Sequence, residues 1–159
     1  RNIMGKSLVI KGADFSANGI STLVTWAAGY SDSILEGETG RVVSNDTIYR
    51  PYDSEVTRLG MVGKTIKYLK LNAASAGTIT IYKVNLSDSS TSQEQQYSVS
   101  AGKNIIELSS PITIGSNTYT VGTKGNGIIR YWSSSASYPA RGWQGGSGGN
   151  VRYPIDFGY

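Results

Sequence analysis

Histidine and cysteine are both missing from the 159 residues, and charged residues make up only 16% of them. Without either residue the chain cannot build a Ser-His-Asp triad, a Cys-His dyad, a thiol redox pair, a zinc finger or a His-ligated metal site. Catalysis would fall to eleven carboxylates, eleven tyrosines and fifteen Lys and Arg. The charged fraction lies below the ~25% of ordinary soluble domains, which argues against a coiled coil or long-helix protein. No stretch approaches the ~18–20 consecutive apolar residues of a membrane-spanning helix, so membrane insertion is not expected. Glycine, by contrast, is abundant, with 20 residues against four prolines. The length fits one domain with its own core.

The net charge of +4 is scattered. Its densest run is Lys64-Thr-Ile-Lys67-Tyr-Leu-Lys70, where strand alternation puts Lys64 and Lys70 on one face and Lys67 on the other. A nucleic-acid binder clusters its cations on one surface. A solvated face is the better reading, and no nucleic-acid partner is expected.

Strand signals dominate from about residue 60. Thr78-Ile-Thr-Ile-Tyr-Lys-Val-Asn-Leu86 is rich in β-branched and aromatic residues. Its apolar set changes phase, from Ile79 and Ile81 to Tyr82, Val84 and Leu86, which implies a bulge or burial on both faces. Ile66 and Tyr68 against Leu69 and Leu71 show the same break, whereas Ile106, Leu108, Ile112 and Ile114 keep one parity across Pro111. Tyr119 with Val121 and Gly127–Trp132 complete the later strands; Ser7–Ile10 and Leu23–Trp26 are earlier ones. Turn chemistry separates the runs every 8–14 residues or so, at 72–77, 87–92, 100–103, 115–117 and 124–127. No window holds a helical apolar stripe for three turns. The expectation is all-β: a jelly-roll-like antiparallel β-sandwich over residues 21–159, preceded by an N-terminal arm over residues 1–20.

Residues 130–159 hold seven of the sixteen aromatics, set among Ser and Gly. Disorder selects against aromatics, so an ordered aromatic, Gly/Ser-rich loop region is expected. Such loops suit sugars, because a pyranose presents a C–H face to an aromatic ring while polar neighbours take its hydroxyls. Trp132, Tyr138, Trp143 and Tyr153 supply rings; Arg141, Gln144 and Arg152, with Arg130 and Asn150, supply polar partners. Tyr131 and Trp132, at a strand end, equally suit a core-closing role. In Gly12–Gly19, Phe15 is a candidate anchor for docking, with Asp14 and Asn18 satisfying turn donors; the alternative is a local turn with Phe15 in its own core.

Carboxylates give weaker signals. Asp53 with Glu55, and Glu36 with Glu38, would share a strand face, but glycoside hydrolysis needs two carboxyls ~5–9.5 Å apart with one pKa raised. No catalytic residue is assigned. Asp32, Glu36, Glu38, Asp46 and Asp53 fall in one polar region that a structural calcium ion could use. No EF-hand spacing exists, and no cofactor is expected. Gly142–Gly149 lacks the Lys-Ser/Thr of a phosphate loop.

Two stretches carry a resemblance. Lys6-Ser-Leu-Val-Ile-Lys-Gly-Ala-Asp-Phe-Ser-Ala-Asn-Gly-Ile20 resembles an N-terminal motif, KGADFSANxI, of proteins from gut Bacteroidetes and their phages and prophages. The runs Gly63–Lys67, Ala76–Val84, Ala101–Asn104 and Pro111–Gly115 are similar to jelly-roll modules of phage tail or fibre and surface carbohydrate-active proteins. Tyr131-Trp-Ser-Ser-Ser135 resembles a strand motif of C-type-lectin-like domains, without the helices of that fold. The resemblance implies a non-enzymatic attachment module of a virion (tail or fibre) or cell surface. Its partners would be a polysaccharide or host-surface receptor and other virion or surface proteins, and it would form a homo-oligomer such as a trimer. The alternatives are a purely structural virion or assembly protein, or an accessory carbohydrate-binding domain of a larger glycoside hydrolase or esterase.

Overall fold

A computed structural model describes residues 9–11, 24–43, 46–133, 143–145, 149–151 and 154–159. The candidates Asp14, Phe15, Asn18, Tyr138, Arg141, Arg152 and Tyr153 lie outside these residues. The chain runs β1 (Val9–Lys11), α1 (Asp32–Leu35), β2 (Ile48–Pro51), α2 (Asp53–Arg58), β3 (Thr65–Ala73), β4 (Gly77–Asn85), β5 (Thr91–Val99), β6 (Gly102–Thr113), β7 (Tyr119–Lys124), β8 (Trp143–Gly145), β9 (Gly149–Val151) and β10 (Asp156–Gly158). The strands form two antiparallel sheets, in the orders β1-β6-β3-β10 and β5-β4-β7-β2-β8-β9. The fold is all-β. Among the described residues no helix is long and apolar enough to cross a membrane.

Both sheets feed one core. Ile66, Leu69 and Leu71 of β3, Ile106, Leu108 and Ile112 of β6 and Phe157 of β10 meet Ile79 and Ile81 of β4, Tyr97 and Val99 of β5 and Val121 of β7. The chain crosses between sheets at β3–β4, β5–β6 and β6–β7, and only β4–β5 is a hairpin within one sheet among these. The crossing before β6 is held by Asn104, whose fully buried amide accepts from Ser100 N and donates to the carbonyls of Ser100 and Gly102. A side chain pointing at the core is thus fully satisfied.

The two phase breaks have different origins. In β3 the chain itself slips: register with β6 shifts between Ile66 and Tyr68, so the buried set moves from Ile66 to Leu69, Leu71 and Ala73. β4 instead stays in step with β7 from Thr80↔Lys124 to Asn85↔Tyr119. Its shift lies against β5, between Ile81 and Lys83, where Gln93 takes φ 51°. β4 is also buried on both faces, with Ile79, Thr80, Ile81 and Tyr82 all inside.

Opposite the β3 slip, β6 carries four residues, Leu108 to Pro111, unmatched by β3. Side chains of β5 replace the lost ladder. Gln95 Oε1 accepts from Ser110 N at 3.0 Å and its Nε2 donates to Ser110 O at 2.7 Å. Ser109 N donates to the Tyr97 hydroxyl at 2.7 Å, which donates to Gln95 Oε1 at 2.6 Å. Gln93 Nε2 donates to Pro111 O. One sheet's amides therefore stand in for backbone partners of the other.

Two short helices accompany the strands, α1 and α2, too short for an apolar stripe to repeat, with Glu55 and Val56 of α2 buried. Two expectations are corrected. Gly127–Trp132 is not a continuous strand; within it Ile129 and Arg130 make isolated bridges to Ala73 and Val42. The end of the C-terminal region is core, not loop, since Ile155 and Phe157 are buried and β10 pairs with β3. Val9–Lys11, within the stretch expected to be an arm, pairs with β6.

Candidate functional site

Strand alternation in the six-stranded sheet puts Tyr49, Ile79, Ile81 and Val121 toward the core. Ile48, Arg50, Thr80, Tyr82, Val84, Thr120 and Gly122 consequently occupy the opposite face. A Cβ on Gly122 would lie 2.6 Å from Val84 Cγ2 and 2.8 Å from Ile48 Cγ2, so these side chains close over the glycine. Past the strand ends the same face opens into a cleft of about 320 Å³, lined by Tyr52, Asp53, Leu86, Ser87 and Thr118. Leu86 N donates to Thr118 O at 2.7 Å, carrying the β4–β7 pairing to its rim.

The rim is built from turn chemistry. Asn85 Oδ1 accepts from Ser87 N and Ser87 Oγ, and Asp88 Oδ1 accepts from Ser90 N. The bonds from Ser90 hold the Asp88 carboxyl below the usual range. Across the cleft, Tyr52 is the extended residue that opens α2, and Asp53 Oδ1 accepts from Ser54 N at 2.7 Å. The cleft thus offers a phenol, a carboxylate and two hydroxyls around Leu86. Rings, carboxylates and hydroxyls of this kind hold polyhydroxylated ligands.

Arg50, two residues before Tyr52, is 8% exposed. Its Nη1 reaches Ile48 O at 3.4 Å and its Nη2 reaches Ser89 Oγ at 3.3 Å, while Nε has no hydrogen-bond partner. The Thr120 hydroxyl, two residues after Thr118, is also buried and without a partner.

Two sequence candidates come to the same strand. β8 pairs with β2 in the register Arg50↔Gln144 and Pro51↔Trp143, and β9 follows on its other edge. The Gly-rich hairpin therefore borders the strand that leads into the cleft. Trp132 is elsewhere: it packs with Tyr30 and Leu35, and its Nε1 donates to Ile34 O at 2.9 Å. It fastens the 30–41 segment. The same segment is held by Glu38, which accepts from Ser133 N at 2.9 Å and pairs with Arg41 at 3.0 Å. The Ser133 bond is the main cause that lowers the Glu38 pKa.

The paired-carboxylate geometry is not formed. Asp53 and Glu55 lie on a helix, where a two-residue spacing points them apart. Asp53 faces the cleft, whereas Glu55 is buried and paired with Arg58. Of the region considered for calcium, Asp32 pairs with Lys103 at 3.1 Å and Glu38 with Arg41. No three potential ligands among the described residues come together. Lys64 and Lys70 lie over the rings of Tyr159 and Trp26, at 4.9 and 4.5 Å.

Sequence reasoning missed Arg50, Tyr52 and Thr120. The signal for Arg50 was a charge inside the short run Ile48-Tyr-Arg-Pro51. It also missed Glu107 on the other sheet, opposite Tyr68. Glu107 Oε2 is buried without a partner, and burial raises its carboxyl above the usual range.

Compared with protein-family models, curated proteins and solved structures, the chain matches none.

Proposed function

We propose that the chain is a non-enzymatic attachment module of a virion or cell surface, a jelly-roll-like sandwich that binds a glycan or host receptor. The observation that carries this reading is the open cleft of Tyr52, Asp53, Leu86, Ser87 and Thr118, bordered through β2 by the Trp143–Gly145 strand. Two sheets around one core, laced by Gln95 and Tyr97, make a stiff support. Rigid strands position a shallow site without an ordering cost at binding. One carboxylate lines the cleft, and its expected partner Glu55 turns inward, which favours holding a sugar over cleaving it.

A single cleft of this size binds weakly, and display in a homo-oligomer such as a trimer raises avidity through effective concentration. A glycan array probed with multimerised protein tests the reading. Hits on bacterial or host polysaccharides should vanish in Tyr52→Ala and in Trp143→Ala. Silence across the array, with folded protein, favours a purely structural virion role instead.

A further inference from the structure

The polar atoms of the cleft are within reach of solvent, and they are mostly acceptors. Asp53, Ser87 and Thr118 are exposed, with Tyr52 and Leu86 half-buried beside them. Asp53 Oδ1 accepts from Ser54 N, while Oδ2 accepts from no described residue. The Ser87 hydroxyl gives its hydrogen to Asn85 Oδ1 at 2.7 Å, which leaves its oxygen to accept. The Thr118 hydroxyl shares a 2.6 Å bond with that of Ser116. No lysine or arginine lines the cleft. Lys83 has the opposite strand alternation and lies over the Tyr119 ring at 4.7 Å. Arg50 is buried, with its contacts at Ile48 O and Ser89 Oγ. A second carboxylate, Asp88, stands on the turn that forms the rim, kept ionised by its bonds from Ser90.

Such a wall asks its ligand for hydrogen-bond donors. Sugar hydroxyls supply them, and a carboxylate-bearing sugar brings like charge and acceptors against acceptors. At about 320 Å³ the cleft stands at the lower end of the ~300–1,000 Å³ of ligand pockets, the size of a single sugar residue. We infer that the cleft takes one neutral hexose residue, which donates hydroxyls to Asp53 Oδ2 and the Ser87 oxygen with its C–H face against Tyr52 and Leu86, and that Asp53 makes the site reject acidic sugars. This rests on the glycan-binding reading and deepens it. Asp53 becomes the specificity-determining residue, and the partner polysaccharide is neutral at the residue the cleft holds.

The test titrates the protein with the methyl glycosides of glucose, galactose and mannose, each against the corresponding methyl uronide, with NaCl holding ionic strength constant. Backbone amide NMR shifts are the readout, followed up to about 100 mM because a single sugar residue binds weakly. At least one neutral glycoside should shift the 52–54, 86–88 and 118 amides, and its uronide should bind about fivefold or more weakly. Asp53→Asn keeps an oxygen for Ser54 N on an exposed residue, so its fold is retained; it should weaken the neutral glycoside and bring the ratio close to one. Ser87→Ala should weaken the neutral glycoside as well. No response to any neutral glycoside, a uronide bound as tightly as its neutral counterpart, or a preference unchanged in Asp53→Asn overturns the inference. Array hits on acidic glycans that vanish in Tyr52→Ala would leave the attachment reading standing while this one falls.

Discussion

Replacing Asp156 tests how β10 is joined to the 25–30 segment. Its carboxylate is fully buried, yet its partners are backbone amides: Oδ1 accepts from Ala28 N at 2.8 Å and Phe157 N at 2.9 Å, and Oδ2 from Tyr30 N at 3.0 Å. Beside it the backbone of Thr25 and Ala27 pairs with Phe157 and Tyr159. An asparagine keeps one oxygen. Placed at Oδ1, it retains two bonds as weaker neutral ones, and its amino group then faces the Tyr30 N–H, donor against donor. Hydrogen bonds to a charged group are worth ~1.5–3 kcal/mol each, offset in part by no longer burying the charge. Asp156→Asn should therefore cost about 2–3 kcal/mol, and Asp156→Ala, which orphans all three amides, about 4 kcal/mol. For a chain of this size ~1 kcal/mol lowers Tm by roughly 2–4 °C, so the Asn variant should melt about 5–10 °C lower. Urea titrations should show a lower midpoint with an unchanged slope. Hydrogen exchange should speed first at Ala28 and Tyr30. A loss below ~1 kcal/mol for the asparagine variant, or unchanged protection of those amides, would refute the assignment.

The lacing between the sheets predicts a coupled pair. Gln95→Ala should cost about 2–3 kcal/mol and Tyr97→Phe about 1–2, with a double-mutant cycle showing clear non-additivity because both hold residues 109–110; additive losses in urea titrations would sink the network. Gly122→Ala forces a methyl against the stiff Val84 and Ile48 side chains and should cost about 1–3 kcal/mol by overpacking, measured by thermal unfolding; a neutral result would mean that face has slack. Glu107 carries a pH signature, because burial raises its carboxyl in the folded state. Between the ordinary carboxylate pKa and the raised one, the native chain binds more protons than the unfolded chain, so this group's contribution to stability falls as pH rises through that window. Glu107→Gln should remove that part of the slope and stabilise the protein at pH 7; an unchanged pH–stability curve would rule the reasoning out.

What the sequence showed, and what it hid, follows from how many residues each signal spans. Long apolar strands announce themselves: β3, β4 and β6 each hold nine or more residues, enough for alternation to show a break in β3, read between Tyr68 and Leu69 although the register shifts between Ile66 and Tyr68, whereas the equally long β5 is mostly polar and went unread. Short elements do not. α1 and α2 span four and six residues, less than two turns, too few for an apolar stripe to repeat. That brief helix is what turned the apparent Asp53–Glu55 pair into one exposed and one buried carboxylate. β10 failed to show for a related reason: a three-residue strand at the end of a Gly- and aromatic-rich stretch shares that stretch's composition, and only the partner β3 gives Phe157 its interior place.

The site was hidden by a different property. Aromatic density pointed to residues 130–159, and the chain does bring Trp143 and Gln144 to β2 by backbone register. Tyr52, Leu86 and Thr118, however, come from three separate segments that meet only because β4, β7 and β2 are neighbours in the sheet. No local pattern encodes that neighbourhood. Arg50 was overlooked because a lone arginine in a half-apolar run reads as an edge-strand charge. Its setting appears only in the fold, where its hydrogen bonds go to Ile48 O and Ser89 Oγ and it forms no ion pair among the described residues. Residues that satisfy the fold tend to be visible in periodicity, because periodicity is how a fold buries apolar surface. A buried polar group such as Arg50 breaks that pattern without explaining itself, and there sequence logic gives out.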